Sequence, residues 1–110
     1  MIIEKFIEEE KKYQIKMFNL ENATLAIFYE EEIIRLGTLA FSLPRSKDSG
    51  AVTSSVLLGG ENLIISRFLA ERLAVKTNKM SLVSIYTKLP EKRAFRIFSK
   101  LIDECLDDKN

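Results

Sequence analysis

Two adjacent runs constrain this chain more than any other feature of it. In "YQIKMFNL", residues 13–20, Tyr13, Ile15 and Met17 alternate with Gln14 and Lys16, the period of two that a half-buried strand requires. "ENA" at 21–23 reads as a tight turn into "TLAIFY", residues 24–29, a run that is apolar on both faces, as a central strand covered on each side would be. "EEE" at 30–32 reads as a solvated turn. "IIRLGTLAFSL" then returns as a third long strand, in which Gly37 predicts a bulge or a close backbone approach.

The rest of the chain changes period. "PRSKDSGA", residues 44–51, is a polar loop, and "VTSSVLL" is a short strand ended by Gly59 and Gly60. A helix starting near Asn62, a candidate N-cap, carries Ile65, Phe68, Leu69 and Leu73 on one face. "MSLVSIY", residues 80–86, is a further strand. Pro90 stands where a first-turn proline belongs, ahead of a last helix burying Ala94, Phe95, Phe98, Leu101, Ile102 and Cys105. Residues 2–9 fit a helix face and a strand equally well. The expectation is one α+β domain over residues 1–110. It has about six mainly antiparallel strands packed with two amphipathic helices, in the order β-β-β-β-β-α-β-α.

Composition removes several functions. The chain has no histidine, which excludes His-based triads and the commonest transition-metal ligand. Its single cysteine, Cys105, excludes an internal disulfide framework and a Cys-cluster zinc site, and its place on a buried stripe makes it a small core residue. Ser54 and Ser55 have no histidine to activate them. "LLGGEN" lacks the spacing of a phosphate loop, and Glu61 would repel an anion. The expectations are therefore no enzyme activity and no cofactor.

A net charge of +1 supplies no field for nucleic acid or anionic lipid. No apolar run approaches the ~20 residues of a membrane span, and "MIIEKFIEEEKK" lacks the regions of a signal peptide, which points to the cytoplasm. Abundant Ile, Glu and Lys without His or Trp suit a hyperthermophile.

"ERLAVKTNK", residues 71–79, carries three cations and one acid. Its first reading is a helix end. Asn78 takes the left-handed conformation that stops a helix, with Arg72 and Lys76 in the last turns where the dipole favours positive charge. Its second reading is a basic contact surface for an acidic partner. No aromatic residues interleave these cations, so nucleic-acid reading is not expected.

The same stretch carries a family resemblance. "SSVLLGG" followed by "RFLAERLAVKTNKMSLVSIY" and a terminal amphipathic helix resembles the proteasome-assembling chaperones, specifically the fourth eukaryotic member, in an archaeal-type version. The likeness is best over residues 52–106, and over 12–43 only the strand pattern is similar. It implies a six-stranded antiparallel sheet with two helices, a homodimer, and docking on the α-subunit ring of the 20S proteasome during assembly. The alternative is a small homodimeric adaptor of similar fold serving another complex.

Charge patterning suggests where a partner would sit. Lys92, Arg93, Arg96 and Lys100 crowd the N-terminal half of the last helix, the wrong end for its dipole, and intrahelical spacing compensates only Lys100, with Asp103 and Glu104. Residues 1–34 carry eight acids and four bases, and residues 35–110 carry eight acids and thirteen bases. A basic region on a near-neutral protein suits an acidic protein surface. Lys79, Lys92, Arg93 and Arg96 are the candidate partner-binding residues, and Asn78 is the structural cap. Homodimerisation is also expected because nothing in the strands obviously protects their edges.

Overall fold

The computed structural model describes the backbone of residues 2–8, and residues 11–107 with their side chains. The elements in chain order are β1 (Ile2–Glu8), β2 (Lys11–Asn19), β3 (Ala23–Glu30), β4 (Thr38–Ser42), β5 (Ser54–Leu58), α1 (Leu63–Thr77), β6 (Met80–Ile85) and α2 (Glu91–Asp107). The strands form one sheet in the order β1-β2-β3-β6-β4-β5. All neighbours are antiparallel except β3 and β6, which run parallel. The α+β class and the element order match the expectation. The ambiguous residues near the N-terminus become a strand because β2 offers them a partner, with Ile2 opposite Met17 and Phe6 opposite Tyr13.

Alternation puts Tyr13, Ile15 and Met17 on one face of the sheet, beside Ala26 and Phe28 of β3, Val83 and Ile85 of β6, and Ala40 of β4. Both helices cover this face. Phe98 of α2 enters edge-on between Tyr13 and Phe28, with ring centroids 6.1 and 5.2 Å away. Each such aromatic pair adds about 0.5–1.5 kcal/mol to what burial supplies. From α1, Ile65, Leu69 and Leu73 are fully buried, and the Ser81 hydroxyl of β6 donates to the Ala70 carbonyl.

Several expectations need correction. The third strand does not span residues 33–43; it begins at Thr38. β6 inserts between β3 and β4, so residues 31–37 must cross its end and cannot pair. Ile33, Ile34 and Leu36 are exposed there. The crossing makes the close approach expected of Gly37: a Cβ would lie 1.8 Å from the Ile85 carbonyl oxygen, so only a hydrogen fits. Glu30 is no solvated turn residue but a buried end of β3; the turn proper is Glu31, at φ 59°.

Asn62 does precede α1, but in a left-handed conformation with no side-chain cap. Its carbonyl takes the Ser66 N–H, and the Ile65 N–H is capped from α2 by the Glu91 carboxylate at 3.3 Å. Pro90 lies just before α2, where its carbonyl accepts the Ala94 N–H. Phe68 and Phe95, expected in the core, are exposed by 36% and 38%, while Ile97 and Leu106 are buried in addition to the expected residues of α2.

Candidate interaction surfaces

The opposite face of the sheet is the first candidate. Alternation sends two cross-strand rows onto it. One runs Phe18–Leu25–Leu82–Phe41–Ser55, the other Lys16–Ile27–Ser84–Leu39–Leu58. Six of these residues, Phe18, Leu25, Ile27, Leu39, Phe41 and Leu82, are half-buried, and Ser84 is buried where its hydroxyl accepts the Gly37 N–H of the crossing segment. This corrects the reading of residues 24–29 as covered on both sides: the chain's own helices cover one side. Four inter-strand spacings of ~4.8 Å and two rows ~7 Å apart make this a band about 19 Å long, within the range of the larger apolar patches that monomers expose. Lys16 is the one charge in the two rows, at their β2 end. Exposed Ile33, Ile34 and Leu36 lie in the crossing segment whose Arg35 guanidinium sits 5.1 Å over the Tyr86 ring.

The helical layer is the second candidate. α1 and α2 both run antiparallel to β6 and so lie parallel to each other. Their seam has three rungs: Glu91 on the Ile65 N–H, Phe68 against Phe95 with centroids 4.6 Å apart, and the Arg72–Asp103 ion pair at 2.7 Å. Asp103, which spacing assigned to Lys100, thus reaches across to α1.

The candidate partner-binding residues divide between two places. Lys92 and Arg96 are exposed and Arg93 half-buried in the first turns of α2, close to Phe95. Arg93, Arg96 and Lys100 each make an interaction in the fold, so they are not the uncompensated charges that helix spacing suggested. Lys79 sits at the other end of β6, where its ammonium donates to Asn19 Oδ1 at 2.9 Å and to the Leu20 carbonyl at 2.7 Å, tying down the end of β2. Asn78 is left-handed at φ 55°, ψ 37°, as the helix-end reading of "KTNK" requires.

Glu30 holds the segment leading into α2. Burial alone would raise its pKa, but the Thr87 hydroxyl, the Lys88 N–H at 2.8 Å and the Lys11 ammonium at 3.1 Å together hold the carboxyl below its ordinary range. Beside this segment an open cleft of about 880 Å³ is lined by Gly37, Asn62, Tyr86, Lys88 and Glu91 among others. Among the described residues no group of three His, Cys, Asp or Glu side chains is placed to hold a metal ion.

Sequence reasoning missed the surface pair Phe68–Phe95 and the role of Glu30. One available signal was the apolar circumference of α1, where Leu63, Ile64, Phe68 and Val75 add an outer set to the inner Ile65, Leu69 and Leu73. No protein-family model matches the chain, and neither does any curated protein. No helix among the described residues is long and apolar enough to cross a membrane.

Proposed function

We propose that this protein is a non-enzymatic homodimeric chaperone that binds 20S proteasome α-subunits in the cytoplasm and assists or regulates assembly of their ring. The observation that carries the dimer is the uncovered apolar sheet face. Two copies stacking these faces about a two-fold axis would form a sandwich, with sheets ~10 Å apart and Lys16 kept toward the rim. Burying the patch on both copies removes apolar surface worth about 25 cal/mol per Å² from water. The choice of α-subunits as partner rests on the resemblance over residues 52–106.

The test mixes the purified protein with purified α-subunits and follows co-elution and ring formation. Co-elution with altered ring yield supports the reading. A dimer that neither binds α-subunits nor changes ring yield returns the protein to the adaptor alternative.

A further inference from the structure

Three contacts seat the crossing segment on the bare face of the sheet. The Gln14 amide donates to the Glu31 carbonyl, the Gly37 N–H donates to the Ser84 hydroxyl at 2.9 Å, and the Arg35 guanidinium lies over the Tyr86 ring. Alternation places Gln14 and Ser84 on the side away from the helices, and Tyr86, two residues beyond Ser84, continues it. Gln14 and Tyr29 are only 2% exposed there, although no helix covers them. Residues 31–37 therefore stand above one end of the bare face, the end where β3 and β6 finish. From that position Ile33, Ile34 and Leu36 are turned outward.

The other end of the same face is apolar and uncovered. Continued by one residue beyond the Phe18 row, the register sets Leu20 opposite Ala23, Ala23 beside Met80, and Leu43 opposite Met80. Leu20, Met80 and Leu43 are 54%, 40% and 44% exposed. Lys79 fixes this end by donating to the Leu20 carbonyl. The two central rows alone make a band ~7 Å wide, narrow against the roughly 800 Å² that each copy contributes to a typical stable interface. The end row and the crossing segment widen it to ~20 Å.

We propose that the crossing segment is a clasp between two copies of this chain: Ile33, Ile34 and Leu36 of each copy seat on the partner's Leu20, Met80 and Leu43. Stacked sheets lie ~10 Å apart, so a segment raised above one sheet must be accommodated by the other. A two-fold axis along the strands would bring the two raised segments against each other and prop the central rows apart. An axis across the strands instead lays each segment over the far end of the partner sheet, where the exposed apolar row lies. One surface thus supplies both halves of the contact, as an isologous interface requires, which is why the occupant is a second copy. Glu32 is paired with Lys12 and Arg35 lies on Tyr86, so the apolar side chains are what the segment offers. The clasp rests on the sheet-face dimer proposed above and selects which of its two-fold arrangements forms.

Cross-linking and light scattering on the full chain test the clasp. Ile34→Cys and Met80→Cys proteins, mixed and treated with a bismaleimide of ~10 Å span, the separation of stacked sheets, should give a covalent mixed dimer. Ile34→Cys alone should give several-fold less. Cys105 is buried, so the unsubstituted protein is the blank. Ile34→Glu with Leu36→Glu should weaken self-association about tenfold or more, because the contact would bury carboxylates without partners. Leu20→Glu with Met80→Glu should do the same. Combining the two pairs should weaken it far less than the product of their separate effects, since both break one contact. These positions are exposed, and circular dichroism checks that the variants stay folded.

Cross-linking of Ile34→Cys to itself in preference to the mixed pair overturns the clasp, by selecting the axis along the strands. Full-strength dimerisation of folded Ile34→Glu/Leu36→Glu protein overturns it too. If Phe41→Glu dissociates the dimer and the segment variant does not, the sheet-face dimer stands and the clasp fails. If wild type is a monomer, both fail. If the segment variant stays dimeric but no longer binds purified α-subunits, the segment is a contact for another protein and the clasp is overturned.

Discussion

The two faces of the sheet carry similar residue types and have opposite fates. On one, Tyr13, Phe28, Val83 and Ile85 disappear beneath α1 and α2; on the other, Phe18, Leu25, Phe41 and Leu82 stay half-buried, with no helix over them. Strand pairing treats the faces alike, so the difference comes from the helices, both of which this chain places on one side. An apolar strand face therefore states a requirement for cover without saying whether the same chain supplies it. Here one requirement is met within the fold, and the dimer proposed above would meet the other.

The largest expected effect lies on the covered face. Phe98→Ala should cost about 3–5 kcal/mol, because it empties the space between two aromatic rings that cannot collapse onto it. Urea denaturation should show this loss at every protein concentration. On the bare face Phe41→Glu should weaken self-association about 100-fold, or ~2.7 kcal/mol, while leaving the secondary structure in place. Light scattering at micromolar concentration should then report a monomer where wild type is a dimer. A wild-type monomer, or an undiminished dimer of Phe41→Glu, would break the comparison between the faces.

Glu30 sharpens it through pH. Because its folded pKa lies below the ordinary value of 4.5, its contribution is present above that pH and is lost as pH falls through the folded value. Glu30→Gln should lower stability at neutral pH by about 1–2 kcal/mol and flatten the profile below pH 4.5. Melts between neutral pH and the acid limb measure both.

Asn78→Ala should cost roughly 1 kcal/mol, since alanine tolerates the left-handed helix end less well, with partner binding retained wherever the protein remains folded. The smallest stability effect belongs to the triple reversal of Lys92, Arg93 and Arg96 to glutamate. Acids near a helix N-terminus gain about 0.3–1 kcal/mol each, and the lost contacts of Arg93 and Arg96 offset part of that gain. The variant should nonetheless bind α-subunits more weakly and with less salt dependence, measured at two salt concentrations.

Much of the fold was legible because short-range physics wrote it. Alternation in residues 13–20 marked β2, Asn78 marked the end of α1, and Gly37 marked a close approach. What was not legible depended on strand order. The strand pattern at 33–37 is indistinguishable from a paired strand until β6 is known to lie between β3 and β4. Glu30 resembles its neighbours Glu31 and Glu32 until Thr87, Lys88 and Lys11 surround it. Phe68 and Phe95 repeat at the spacing of buried residues, and only the packing of α1 beside α2 shows that they meet on the outside. The basic cluster on α2 was legible as a cluster, but not its separation from Lys79, which lies at the opposite end of β6.

The strand order also sets a timetable for folding. β6, the last strand in the chain, lies near the middle of the sheet and is the only link between the β1–β2–β3 meander and the β4–β5 hairpin. Its pairing with β3 joins residues as far apart as Ala23 and Met80. A chain emerging from the ribosome can form both antiparallel pieces early, but they remain unconnected until residues 80–85 arrive. Closing so long a loop is slow, and the rate of folding should be governed by that late insertion. Until then, a meander and a hairpin with unsatisfied inner edges share one chain, and the interval before β6 seats itself is when the molecule is most exposed to pairing with the wrong strand.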